Sequence, residues 1–131
     1  MPEALSDFLR EQEIKLPEGK IIAFGQSLYL VPPEMPEMRG LKVLRPGLEL
    51  GQLLKNRYEP AHALALWLPG AKNTANFPAD SPEIAAYLRG EVVKGENRGW
   101  TLITVDGLSL GWAKGSGGQL KNHFPKGLRW V

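Results

Sequence analysis

Two residues, Asp106-Gly107, constrain this chain more than any others. Asp-Gly suits a two-residue β-hairpin turn, because both central positions of a type I′ turn need positive φ. Before the pair, residues 100–105 form an apolar and β-branched run; after it, residues 108–113 alternate. In the returning strand Leu108, Leu110 and Trp112 fall on one face, and Ser109, Gly111 and Ala113 on the other. An antiparallel hairpin over residues 100–113 is therefore expected.

The stretch beyond the hairpin carries the functional signal. Residues 110–130 hold five glycines, three of them in Gly115-Ser116-Gly117-Gly118. Lys114, Lys121, Lys126 and Arg129 punctuate the stretch, His123 lies among them, and no Asp or Glu occurs from Leu108 onward. Residues 1–93 carry ten Lys/Arg against twelve Asp/Glu, whereas residues 94–131 carry six against two. Such polarity points to a local anionic partner. Backbone N–H groups of a glycine-rich turn form an anion nest, with Lys114 and Lys121 at its flanks. Ser116, Gln119 and Asn122 offer neutral hydrogen bonds to sugars or base edges, and Trp112, Phe124 and Trp130 offer flat faces for packing or base stacking. The plainer alternatives are ordinary surface charge on a polar loop that binds nothing, with Lys121 and Asn122 holding that loop against the sheet.

Several chemistries are excluded. There is no cysteine, and two histidines, His62 and His123, do not make a usual zinc site. No Gly-Lys-Ser or Gly-Lys-Thr completes a phosphate loop, no Gly-x-Gly-x-x-Gly occurs, and Glu91, Glu96 and Asp106 show no pairing. His62 reads as a hydrogen-bonded residue near a helix start. No cofactor, metal or catalytic residue is expected. No apolar run reaches membrane-spanning length and Met1-Pro2-Glu3-Ala4 does not open a signal peptide, so a cytoplasmic protein with no membrane partner is expected.

Taken in order, residues 2–12 read as a helix with Leu5, Phe8 and Leu9 on one stripe, followed by strands over residues 20–24 and 27–31. Pro32-Pro33-Glu34-Met35-Pro36 interrupts any ladder or helix, which places a boundary there. Strands are expected over residues 41–45 and 48–54, joined by a turn at Pro46-Gly47. Glu59-Pro60 and Pro69-Gly70 bracket a short, buried Ala/Leu-rich helix. Residues 71–79 look irregular. Ser81-Pro82 opens a second helix with Ile84, Tyr87 and Leu88 inward, and Gly90 ends it. Residues 127–131 read as a last strand closing the sheet. The whole is an α+β fold: a small, mainly β barrel with two short side helices and a small N-terminal α/β appendage.

The C-terminal run Gly111-Trp112-Ala113-Lys114-Gly115-Ser116-Gly117-Gly118-Gln119-Leu120-Lys121-Asn122-His123-Phe124-Pro125-Lys126-Gly127-Leu128-Arg129 resembles the signature of the PUA-like RNA-binding domain of RsmF-type (Nol/Nop/Sun) rRNA cytosine-5 methyltransferases. The resemblance extends upstream through Gly47-Leu48-Glu49-Leu50-Gly51, Glu59-Pro60-Ala61-His62-Ala63-Leu64-Ala65-Leu66, Tyr87-Leu88-Arg89-Gly90-Glu91 and Gly99-Trp100. It implies a PUA-like RNA-binding domain over residues 39–131 and, over residues 1–38, the piece that joins it to a methyltransferase core. Those methyltransferases use cysteine thiolates and a cofactor-binding core, and this sequence has neither. The implied function is a non-catalytic RNA-binding module, a monomer with ribosomal RNA as partner and a methyltransferase core in cis. Its RNA surface is expected at Lys114, Gly115, Ser116, Gly117, Gly118, Gln119, Lys121, Asn122, His123, Lys126 and Arg129. The alternative is a protein-interaction or assembly module that binds a ribosomal or enzyme partner.

Overall fold

The computed structural model describes residues 1–32, 47–55 and 57–130. They fall into two compact units, Met1–Leu64 and Ala65–Val131.

The first unit holds α1 (Glu3–Glu11), β1 (Lys20–Phe24), β2 (Ser27–Val31), β3 (Leu48–Leu54) and β4 (Arg57–Pro60), with the strands in the antiparallel order β1-β2-β3-β4. The apolar stripe of α1 is what seats it: Leu5, Phe8 and Leu9 are buried, and the Phe8 ring lies 5.0 Å from that of Tyr58. Tyr58 in turn donates its hydroxyl to the Leu50 carbonyl. The expected joint at residues 32–36 lies, Pro32 apart, outside the described residues, as do the strand over 41–45 and Pro46 of the turn. The strands on either side of that stretch, β2 and β3, pair with each other. Residues before the expected boundary thus share a sheet and a core with residues beyond it, and the compact division comes later, between Leu64 and Ala65.

Glu59-Pro60 does not open the helix. It ends β4, where a residue without an N–H is tolerated, and α2 (His62–Trp67) begins two residues later. The helix is not buried all round either: Leu64 and Ala65 are, but Leu66 and Trp67 stay 58% and 43% exposed.

The second unit holds β5 (Thr74–Phe77), α3 (Pro82–Leu88), β6 (Val93–Lys94), β7 (Gly99–Val105), β8 (Leu108–Ser116) and β9 (Gln119–Asn122), in a curled sheet of order β5-β7-β8-β9-β6. The Asp106-Gly107 turn joins β7 to β8 with φ of 48° and 83°, as a type I′ turn requires. Residues 71–79 are not irregular throughout: β5 pairs in parallel with β7, and the Asn76 side chain accepts from Thr104 Oγ1 at 2.7 Å and from the Gly107 N–H at 2.8 Å. Ser81 caps α3 by accepting from the Ile84 N–H, with Pro82 in the first turn. Ile84 and Tyr87 then pack with Val93, Ile103, Ala113, Leu120 and Phe124, with Leu88 at the edge of the cluster. Burying side chains of this size stabilises by about 1.5–3 kcal/mol each. The Tyr87 hydroxyl donates to the Trp112 carbonyl at 2.8 Å, so its polar end is satisfied inside the core. Among the described residues 127–130 no strand forms. Lys126–Leu128 is a single 3-10 turn, and the Trp130 N–H donates to the Leu88 carbonyl at 2.8 Å.

Mostly β with short helices, the fold has the expected α+β class. Among the described residues no helix is long and apolar enough to cross a membrane, and no group of three His, Asp or Glu side chains could hold a metal ion.

Candidate nucleic-acid interface

Direct cross-strand partners share a face of a sheet, and the register of the second unit builds one polar face from three strands. Trp100 of β7 lies opposite Lys114 of β8, and Lys114 lies opposite Lys121 of β9. One pair further along, Ser116 lies opposite Gln119, and Gln119 opposite Lys94 of β6. His123 follows two residues after Lys121, its N–H donating to the Trp112 carbonyl at 3.2 Å. Its ring meets Trp100 edge to face, centroids 4.6 Å apart, and the Lys114 ammonium sits over the Trp100 ring at 5.2 Å. Lys94, Lys114, Ser116, Gln119 and Lys121 are exposed, while Trp100 and His123 are half-buried. The same face contains Leu102 and Trp112 further along, and both are buried. Trp112 is therefore a core residue and no stacking surface, and Phe124, also buried, is another. Trp130 is 62% exposed.

Trp100 is held firmly from behind. The Asn73 amide donates to the carbonyls of Arg98 and Trp100, both at 2.8 Å, and to Thr101 Oγ1 at 3.2 Å. Asn97 donates in turn to Asn73 Oδ1 at 2.8 Å. Gly99, with φ of 72°, gives the chain the conformation it needs just before the tryptophan.

The glycine-rich segment is not an open loop. Gly115 and Ser116 stay in the β8 ladder, leaving Gly117-Gly118 as a two-residue turn with φ of 61° and 82°. Gly115 turns to the opposite side of the sheet, where a Cβ would come 1.9 Å from the Asn97 carbonyl oxygen. A Cβ on Gly118 would lie 3.6 Å from Glu96 Oε1, so a carboxylate from outside the tail stands beside the turn. An anion nest at this turn does not fit that arrangement.

Asn122 and Arg129 are also placed elsewhere. Asn122 pairs with Ala113 on the side that packs on α3. Its Nδ2 donates to the carbonyls of Tyr87 at 2.8 Å and Glu91 at 2.9 Å, and its Oδ1 accepts from the Phe124 N–H at 2.8 Å. Both donors of this amide are spent tying β9 to the end of α3, and its oxygen holds the Phe124 N–H. The Arg129 Nε donates to the Phe124 carbonyl at 3.1 Å, and the same guanidinium stem lies where a Cβ on Gly90 would be, 2.5 Å away. Lys126 stands exposed in the 3-10 turn.

Of the expected surface, then, Lys114, Ser116, Gln119, Lys121 and His123 share one face, and Asn122, Arg129 and Gly115 do not. Lys94 and Trp100 join that face without having been marked by the sequence. The register set by the Asp106-Gly107 turn alone would place Trp100 opposite Ala113; an irregularity of the ladder between Ile103 and Thr104 shifts it to Lys114, and nothing in the sequence marks that shift.

His62, the first residue of α2, has its pKa lowered by burial, which keeps the imidazole neutral. It lies outside the unit that carries this face.

Comparison with known proteins divides the chain in a similar way. Residues 7–68 match the RsmF rRNA methyltransferase first C-terminal domain, and residues 74–130 match the methyltransferase RsmF PUA domain. The ribosomal RNA small subunit methyltransferases F of Shewanella loihica and Shewanella piezotolerans are each 29% identical over 116 residues, which is 85% of this chain. The chain spans 24% of the length of either relative.

Proposed function

We propose, for a chain that belongs to the RsmF family of rRNA methyltransferases through that family's two C-terminal domains, that the β7-β8-β9 face binds ribosomal RNA and carries out no chemistry itself. The observation that carries the reading is the Lys114–Lys121 pair. Two ammonium groups opposite each other on adjacent strands repel, and a phosphate between them turns that repulsion into binding. Lys94 extends the positive row and Trp100 supplies a flat neighbour. The family's name supports ribosomal RNA as the substrate class. A methyltransferase core in cis is the natural partner for a chain matching a quarter of its relatives' length.

The test is an affinity measurement on a single-stranded rRNA segment at several salt concentrations. Each phosphate contact contributes about 0.7 to the magnitude of the log–log salt slope on single strands. Lys121→Ala should weaken binding to many RNA sequences and lower the slope by that amount. Arg129→Ala, whose side chain serves the fold, should lower thermal stability and leave the slope alone. Equal slopes for Lys121→Ala and the unaltered chain would remove the proposal.

A second reading has one observation in its favour and concerns the first unit. Among the described residues β1 is an edge strand that leaves Ile22 and Phe24 38% and 69% exposed, a surface suited to protein contact, and we assign it to the same methyltransferase core. Phe24→Ser should weaken association with that core, added in trans, and leave RNA affinity unchanged.

A further inference from the structure

We infer that the face takes unpaired nucleotides, with the Trp100 indole as the surface on which one base stacks. The inference rests on the RNA-binding reading and narrows it.

Position comes first. Trp100, Lys114 and Lys121 form one row across three strands. Adjacent strands lie about 4.8 Å apart, so a nucleotide whose phosphate rests on the lysines has its base within reach of the neighbouring ring. The second point is what covers the indole. Over it at 5.2 Å lies the ammonium of Lys114, an exposed and flexible side chain. An ammonium and a base are both drawn to the π face of a tryptophan. With RNA present, Lys114 swings to a phosphate and the base takes the ring. The third point is rigidity. The contact with the His123 ring, centroids 4.6 Å apart, and the Asn73 hydrogen bonds to the Arg98 and Trp100 carbonyls hold the indole and its backbone in place beforehand. Little ordering is left to oppose stacking. A duplex keeps its bases inside its own stack; it satisfies the lysines and leaves Trp100 unused.

Three probes of equal length separate the possibilities: a single-stranded RNA, its duplex, and an abasic strand with the same phosphates. Each is titrated against the full chain and followed by tryptophan fluorescence and by affinity. The single strand is expected to bind more tightly than the other two and to quench emission. Trp100→Leu should cost roughly tenfold on the single strand, the loss typical of one stacked base, with no change on the abasic strand or in the salt slope. Trp100→Phe should recover most of that loss. The inference is overturned if Trp100→Leu binds the single strand as tightly as the unaltered chain, or if the duplex is preferred. In either case weakened binding by Lys121→Ala leaves the RNA reading standing. Failure of all three probes to bind removes both.

Discussion

Lys114 and Lys121 face each other directly across β8 and β9, with Trp100 on the far side of Lys114 in the same row. Opposed like charges cost a sheet a few tenths of a kcal/mol, and opposite charges stabilise it by about 0.2–1 kcal/mol. Lys121→Glu should therefore raise the melting temperature while it abolishes RNA binding. Differential scanning calorimetry and a filter-binding assay on the one variant check both signs. A variant that loses stability together with binding would mean that Lys121 serves the fold.

Asn122 is expected to do the opposite. Its amide makes three hydrogen bonds between β9, the end of α3 and the start of the C-terminal segment. Asn122→Ala leaves backbone groups of Tyr87, Glu91 and Phe124 without that partner, which should cost about 2–4 kcal/mol. Denaturant unfolding gives the loss. The salt slope of RNA affinity should stay as it is, and so should preference among RNA sequences.

Gly115 is required by space and not by conformation. A Cβ there meets the Asn97 carbonyl oxygen at 1.9 Å, so Gly115→Ala pushes β8 away from the segment that positions Trp100. A loss of about 1–3 kcal/mol is expected from such overpacking. Gly117→Ala meets no neighbouring atom, and its penalty comes only from the φ of 61°. That is about 1 kcal/mol. Thermal melts of the two variants should rank in that order.

Stability at high pH follows from Tyr87 in the second unit and Tyr58 in the first. Burial raises both phenols far above their ordinary value of 10, with Glu49 adding to the effect on Tyr58 and the Arg129 charge opposing it on Tyr87. The folded chain holds these protons more tightly than the unfolded one. Their contribution is fully present below about pH 10 and is lost as pH rises toward the folded values. Stability should be flat in this respect up to pH 10 and fall above it. Tyr87→Phe should make the fall shallower, as urea titrations at pH 8 and pH 11 would show.

The sequence was most informative where one local pattern decides the structure. Asp106-Gly107 fixed the hairpin because only a primed turn uses that pair so well, and Ser81-Pro82 fixed the start of α3 through a cap visible in four residues. The resemblance to the RsmF family likewise rested on a contiguous motif, although the chain matches two domain models where one domain over residues 39–131 was expected. Structure set by distant partners was not legible. β5 is polar because Asn76 spends its side chain on Thr104 and Gly107 across the parallel pair, so it looks like a loop. Pro60 reads as a helix start and ends β4 instead, because β3 stands ready to pair with it. In the candidate site the lysines of the tail were visible, but strand alternation divides the tail between two sides of the sheet. Lys114 and Lys121 go to the open face, Asn122 to the core side, and Arg129 lies against Gly90. Lys94 and Trp100 arrive from β6 and β7, which no count along the tail reaches.

Two compact units, each with its own sheet and buried side chains, imply that the second folds without the first. Residues 65–131 expressed alone should unfold in one cooperative transition and keep the RNA affinity of the full chain. Broad, non-cooperative melting of that fragment would show that its core depends on the first unit.

The central claim is that the Lys114–Lys121 row is an RNA surface, and the most direct measurement is the salt dependence of affinity for a single-stranded rRNA segment in the Lys114→Ala/Lys121→Ala double variant. Two lost phosphate contacts should lower the magnitude of the log–log slope by about 1.4, with the melting temperature unchanged or higher once the opposed charges are gone. A folded double variant with the affinity and slope of the unaltered chain would contradict the claim.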